Sequence, residues 1–327
     1  MRKRVKIYRI PISLVLAVAL VFVCFTPASS QIREQLYHDN VVPEHFISSL
    51  GPDVYLSAFT FHRSQWTGLS SSPKTTGLGV NYKITSNFIA QLYYSFDQIQ
   101  NVDNQNFKLG AVYSLGKENR FKFGLRMGVN GIRQSQDFVS VDPVENDPLL
   151  SGIGEKETTF DTDFSFSYDY NQLSLGVGFN NLLESGFTTN GVTSTRTAVI
   201  FTQNIFRINF LGSRNLVVSG LYKSEMQSFT TGVVDVKSVL FVNPKLGLGV
   251  GYRHKESVPL LLQYKAIISN LPFVVQYSYD IQTSSLSTYN SGSHEITLRV
   301  NLKNKPIIDS TIDFEEQERK SKNVRFL

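Results

Sequence analysis

The sequence predicts an all-β protein, an antiparallel up-and-down transmembrane β-barrel of about 14 strands. Three observations predict it. Alternate residues are bulky along many segments, with no long helical stripe after residue 31. Most of these segments run about 8–12 residues, enough for a tilted hydrocarbon crossing, where soluble strands average nearer 5–6. The segments are joined by alternately short and long linkers.

The alternation is clearest from Phe121, where Phe121, Phe123, Leu125, Met127 and Val129 oppose Lys122, Gly124, Arg126, Gly128 and Asn130. Phe160, Phe164, Phe166, Tyr168 and Tyr170 likewise oppose Asp161, Asp163, Ser165, Ser167 and Asp169. The stretches 173–180, 246–253, 273–280 and 295–302 repeat it. Side chains alternate across a strand, so each segment has one apolar and one polar surface.

In order, the strands are expected at 52–62, 75–83, 87–96, 105–115, 120–132, 159–170 and 172–180, then at 195–210, 214–223, 233–242, 246–253, 258–268, 271–280 and 293–302. Linkers 84–86, 116–119, 171, 211–213, 243–245 and 269–270 are short. Linkers 63–74, 97–104, 133–158, 181–194, 224–232 and 281–292 are long, and 254–257 alone breaks the rhythm. A soluble sandwich, which buries its apolar faces between two sheets, has no reason for such alternation. A membrane barrel does, with tight turns on one side and loops on the other. Lipid leaves an open sheet edge unsatisfied, so the strands must close. Tyr82, Phe96, Tyr170, Phe179, Tyr252 and Tyr279 are placed for interfacial girdles. Lys122, Arg126, Asp161, Asp163, Lys265, Glu295 and Arg299 are placed for a lumen crowded with ion pairs rather than a wide pore.

Composition agrees. The 327 residues are 41% hydrophobic, 12% aromatic and 18% charged, too aromatic and too weakly charged for a disordered chain. A mean hydropathy of -0.11 excludes a bundle of apolar helices but not a barrel. The formal charge of +5 comes from five basic residues in 1–30; without them 27 basic face 27 acidic residues (32 − 5 against 27). The basic balance therefore does not point to nucleic acid.

Residues 1–30 have the order of a signal peptide: a basic head to Arg9, an apolar run from Ile10 to Phe25, then Ala28-Ser29-Ser30. Cys24 is the sole cysteine, so the mature chain is expected to lack disulfides and thiolate metal sites. Residues 31–51 are expected to form a periplasmic lead-in or partial plug, 52–302 the barrel, and 303–327 a charged periplasmic tail with a short helix near 315–320.

Three segments carry a family resemblance. Arg63-Ser64-Gln65-Trp66-Thr67-Gly68-Leu69, followed by Pro73-Lys74-Thr75, is similar to an R-x-Q-W-x-G-L…P-x-T pattern. Gly178-Phe179-Asn180-Asn181-Leu182 closes a middle strand, and Gly292-Ser293-His294-Glu295-Ile296 opens the last. In order and position they resemble the PorP/SprF family of type IX secretion outer-membrane proteins over about residues 31–302. The front departs: Ile47-Ser48-Ser49-Leu50-Gly51 replaces an N-P-A-Y-A-G-like passage. The resemblance implies an outer-membrane accessory or anchoring component. Such a protein helps a secreted protein, such as a gliding adhesin, reach or stay on the surface of a Bacteroidota cell. Its implied partners are that cargo, the periplasmic secretion or gliding machinery, and lipid. The alternative is a solute channel or ligand transporter.

Candidate partner-facing or rim-structural residues are Arg63, Gln65, Trp66, Asp137, Asp142, Glu145, Asp147, His294 and Glu295. Trp66 is expected to pack under the first loop, and Arg63 to pair with Glu295 or Asp280. His294 and Glu295 are expected to act as one polar pair locking the last strand. The acidic 133–158 loop is the expected cargo surface, with spacing unlike an EF-hand. The 181–194 loop is a weaker one. No HExxH, G-x-S-x-G or P-loop occurs, so no enzyme, cofactor or metal is predicted.

Overall fold

The structure, a computed structural model, describes residues 54–69, 72–99, 102–116, 119–134, 156–183, 196–208, 214–227, 232–268 and 271–303. The proposed signal peptide, lead-in and tail, and most of the acidic loop, lie outside the described residues.

Fourteen antiparallel strands form one closed ring. They are β1 (Val54–Ser64), β2 (Lys74–Lys83), β3 (Phe88–Ile99), β4 (Val102–Leu115), β5 (Phe121–Gln134), β6 (Lys156–Tyr170) and β7 (Leu173–Asn180). The second half comprises β8 (Thr197–Ile208), β9 (Arg214–Glu225), β10 (Val233–Phe241), β11 (Leu246–Arg253), β12 (Ser257–Ile268), β13 (Leu271–Gln282) and β14 (Ser293–Lys303). Each strand pairs with its sequence neighbours. The ring closes where β1 meets β14 in register from Ser57↔Asn301 to Ser64↔His294. No edge is left at membrane depth, as a lipid environment demands.

At one end, the turn end, the chain reverses in tight connections such as Asn171–Gln172 between β6 and β7. Asn171 takes φ 55°, a left-handed conformation that Asn tolerates better than most residues. The opposite, loop end carries the 65–73, 135–155, 181–196, 226–232 and 283–292 connections. The rhythm holds with one correction. The expected 97–104 loop is a hairpin: β3 reaches Ile99 and β4 starts at Val102, with Asp97↔Asn104 and Gln98↔Asp103 paired. The polar run Asp97–Asn104 reads as a loop because both faces are hydrophilic. A strand that rises past the hydrocarbon can carry polar residues on both faces and still satisfy its backbone against a neighbour. The short 254–256 connection is also a turn, with Lys255 at φ 58°.

The expected faces hold. Leu109, Leu125, Met127, Phe160, Leu248 and Ile296 stand exposed on the outside, while Asp161, Asp163, Lys122, Arg126, Glu295 and Arg299 are buried inside. Lys265 shares the inner face, half-buried over the Phe241 ring at 4.1 Å. Tyr82, Tyr170 and Tyr252 are exposed on the outer face, and Phe96, Phe179 and Tyr279 are half-buried on it. At the turn end Phe121, Phe123, Phe166 and Tyr168 form an outer aromatic cluster with centroid spacings of 4.9–6.3 Å. Such rings suit a headgroup boundary.

The inner face of β1 also carries large apolar side chains. Phe59 and Phe61 point inward and are buried with Tyr93. Their room comes from β2, where a Cβ on Gly77 would lie 2.1 Å from the Phe61 ring and one on Gly79 would lie 2.2 Å from Phe59. The rings lie flat over strand positions that have no side chain, the device by which aromatics compensate glycines in sheets.

Candidate functional site

Two charged clusters and one backbone seam organise the upper lumen and the loop end. The first cluster spans β4, β5 and β6. Lys108 Nζ donates to both carboxylate oxygens of Asp163 at 2.9 Å, and Arg126 Nε donates to Asp163 Oδ2 at 2.7 Å. Lys108 also lies 3.5 Å from Asp161. All four side chains are almost completely buried. Charged hydrogen bonds of this kind are strong, and within a low-dielectric interior they hold only when the charges balance. Two cations and two carboxylates do.

The same carboxylates shape the next loop. Asn181 N donates to Asp163 Oδ1 at 3.0 Å, and Leu183 N donates to Asp161 Oδ1 at 3.3 Å. Leu182 N continues the ladder to Thr162 O at 2.9 Å, while Asn181 adopts φ 57°. The Gly178–Leu182 motif is therefore a strand exit clamped by the neighbouring strand's carboxylates.

The second cluster joins β1, β10, β11 and β13. Arg253, fully buried, donates from Nε and Nη2 to Asp235 Oδ2 at 3.3 and 3.2 Å. Its Nη1 reaches Glu256 Oε1 at 3.1 Å and Asp280 Oδ2 at 3.3 Å. Asp280 Oδ2 also accepts from Arg63 Nη2 at 3.4 Å. Of the two expected partners for Arg63, Asp280 forms an ion pair with it, and Glu295 stands directly across the β1–β14 register. Gln65, with its amide oriented to satisfy both groups, accepts from Arg63 Nε and Nη2 at 3.1 and 3.2 Å.

The seam lies above this cluster. Thr67 N donates to Gly292 O at 2.8 Å, Ser291 N donates to Thr67 O at 2.6 Å, and Trp66 N donates to Ser293 Oγ at 3.1 Å. Gln65 N reaches Pro73 O, and Ser72 Oγ donates to the carbonyls of Trp66 and Leu69. Tyr279 Oη donates to Ser291 O at 2.9 Å. Trp66 sits at φ 49° and Gly292 at φ 90°, where a Cβ would come within 2.6 Å of Asp280 O. The first and third resemblance motifs are thus knitted into one loop-end latch, 225 residues apart in sequence.

Five of the nine candidate residues fall among the described residues. Arg63 and Gln65 are buried on the lumenal side of the rim, as the rim-structural alternative expects. His294 and Glu295 do not form a pair, because consecutive strand residues face opposite sides. Glu295 is buried in the lumen, while His294 faces outward, its Nδ1 2.7 Å from Tyr277 Oη. Trp66, half-buried in the latch, keeps its place beneath the first loop. Asp137, Asp142, Glu145 and Asp147 lie outside the described residues. Sequence reading missed Lys108, Arg253 and Asp235. Their inward parity within strands that otherwise alternate was the available signal.

Outside the barrel, Ser64 Oγ lies 3.3 Å from His62 Nε2, and His62 Nδ1 lies 2.8 Å from Thr76 Oγ1. A threonine hydroxyl occupies the place a carboxylate holds in a hydrolase triad. Among the described residues no group of three or more His, Cys, Asp or Glu is arranged to hold a metal.

A closed strand ring with an apolar outside and a charged, packed inside defines a transmembrane β-barrel of the outer-membrane kind. Residues 51–300 match the family of type IX secretion system membrane proteins PorP/SprF, and the chain belongs to that family. It is an outer-membrane protein and a type IX secretion component. No curated protein sequence matches it. Among solved structures it is similar to a Pseudomonas aeruginosa FadL homologue, at 10% identity and TM-score 0.46, over 81% of this chain and 93% of the other. Omp33 of Acinetobacter baumannii is similar at 9% identity and TM-score 0.42, over 78% and 100%. The CymD monoaromatic hydrocarbon channel is similar at 7% and TM-score 0.46, over 76% and 88%. These likenesses are of fold and say nothing about what the chain binds or passes.

Proposed function

We propose that this barrel is a non-enzymatic accessory or anchor of type IX secretion, whose loop end holds an exported protein at the cell surface. Its turn end, where β1 begins and β14 ends, faces the periplasm and meets the secretion or gliding machinery. The supporting observation is the placement of the resemblance motifs. Two of them form the latch and the third is clamped by Asp161 and Asp163, giving a stiff base for the loops above. A stiff base loses little freedom on binding, which favours a long-lived complex. The signal peptide over 1–30 and the charged tail over 303–327 belong to this reading, the first for export and the second for periplasmic contact. The exported cargo would meet the acidic 133–158 loop.

The test is affinity capture of the intact protein from membranes in several mild detergents, with identification of the chains that come with it. Recovery of one large secreted protein or a periplasmic secretion component is expected, together with loss of a single exported protein from the surface of the deletion strain. Recovery of lipid alone, with an unchanged surface, overturns the proposal. The channel reading draws on the width of a 14-strand ring; steady solute-selective conductance by the captured protein would favour it.

A further inference from the structure

We propose that the outer wall at the loop end of β13, β14, β1 and β2 binds the phosphate of a membrane lipid, with Lys74 as its charged contact and Ser64 and His294 beside it. The inference concerns the lipid-facing side of the barrel and does not rest on the cargo reading.

It starts from parity. Five adjacent strands, β13, β14, β1, β2 and β3, carry three carboxylates among their described residues: Asp280, Glu295 and Asp97. Asp280 and Glu295 are buried in the lumen, and Asp97 stands on the inner face opposite the buried Thr75. The outer face of these strands therefore holds no acid among the described residues. Its described basic groups are Lys74, His62 and His294, and all three stand at the loop end. At the turn end the same face carries Leu56, Tyr82, Phe88, Leu271 and Leu302.

Register gathers the polar groups into one row. Ser64 of β1 stands opposite Lys74 of β2 on one side and opposite His294 of β14 on the other. Paired residues lie about 5 Å apart, so Lys74 and His294 flank Ser64 across about 10 Å, a gap that a lysine chain and an imidazole can close on one phosphate. The row is held in place. His294 Nδ1 lies 2.7 Å from Tyr277 Oη and its ring 5.0 Å from that of Tyr279, which leaves Nε2 as its remaining polar atom. Ser64 Oγ meets His62 at 3.3 Å, and His62 is anchored in turn on Thr76. Lys74 is exposed.

Height selects a lipid over a dissolved anion. From Tyr82 to Lys74 and from Leu302 to His294 the chain advances eight residues (82 − 74 and 302 − 294). At about 3.4 Å per residue and a tilt of about 40° that is a rise of about 21 Å. The apolar band of such barrels is about 25 Å tall, so the row lies at its edge, where headgroups begin. Directly beneath it Leu78, Tyr277, Ile296 and Leu298 are exposed. They offer acyl chains a surface while the row above meets the phosphate. A lysine at this height keeps its ammonium among headgroups and its methylenes against the wall. A free phosphate gains only the row; a lipid gains the row and the wall.

The test is native mass spectrometry of the intact protein in detergent, titrated with phosphatidic acid, a phosphate monoester, with phosphatidylcholine as the reference lipid. Preferential binding of phosphatidic acid is expected. Lys74→Gln is expected to weaken it about fivefold, the effect of one lysine near an anionic lipid surface, whereas Lys74→Arg keeps it within about twofold. Lys245→Gln removes the same charge from an exposed turn-end position and is expected to leave binding unchanged. Should Lys74→Gln fail to assemble, Ser64→Ala with His294→Gln carries the test and is expected to weaken binding with Lys74 intact. Excess inorganic phosphate, at an ionic strength matched with chloride, is expected not to displace the lipid. No preference for phosphatidic acid, equal losses in Lys74→Gln and Lys245→Gln, or displacement by inorganic phosphate overturns the lipid site. Cargo capture by the intact protein is unaffected by any of these outcomes, so the two proposals fail separately.

Discussion

Asp163→Leu is the sharpest test of the lumenal network. The carboxylate receives Lys108 through two 2.9 Å bonds, Arg126 at 2.7 Å and the Asn181 amide at 3.0 Å. Removing it leaves two buried cations to share Asp161, so the cluster changes from neutral to +1. Breaking a buried pair in this way costs about 3–5 kcal/mol. The Asn181 amide loses its acceptor as well, at about 1 kcal/mol within that range. Adding Lys108→Met restores neutrality, with Arg126 and Asp161 remaining. The double variant is therefore expected to be more stable than Asp163→Leu alone, by at least about 1.5 kcal/mol. The assay is urea unfolding from lipid vesicles, followed by the fluorescence of Trp66, the only tryptophan, with unchanged denaturant slopes as the two-state check. A loss below about 1 kcal/mol for the single variant, or a double variant that costs the sum of both, refutes the coupled network.

Three further outcomes are expected. Gly77→Leu drives a side chain into the Phe61 ring and costs about 1–3 kcal/mol in the same unfolding assay, with Phe61→Ala recovering most of it. Gly292→Ala forces a left-handed alanine against Asp280 O and loosens the latch. A loss of about 1–2 kcal/mol is expected, with faster protease cleavage of the first loop than in Gly131→Ala. Leu109→Arg, on the outer face near the middle of β4, lowers the folded fraction on unheated gels by an amount equivalent to about 2–4 kcal/mol, and equal folding to wild type would place that face away from hydrocarbon.

Strand number and sidedness were legible because parity is a backbone property. Once Phe121 faces lipid, Lys122 and Arg126 must face the lumen, and they do. The Asp97–Asn104 hairpin was not legible. Polar residues on both faces remove the alternation that marks a strand, and only the β4 partner reveals it. Phe59 and Phe61 were hidden for a related reason, since their inward placement depends on Gly77 and Gly79 in another strand. The candidate site was half legible. The motifs identified Arg63, Gln65 and Trp66, but not that the first two are buried and the third is held by Ser293. Pairings such as Arg253 with Asp235 and Asp280 depend on which strands become neighbours and on how far each is staggered, and local sequence carries neither.

The β1–β14 joint has a bearing on biogenesis. Because the first strand's closing partner is the last strand of the ring in sequence, the cylinder cannot be sealed until that strand has been delivered. A product truncated before Ser293 would present two raw edges, at β1 and β13, and would lack the segment that fastens Trp66 and Thr67. One strand thus both seals the ring and completes the loop-end latch.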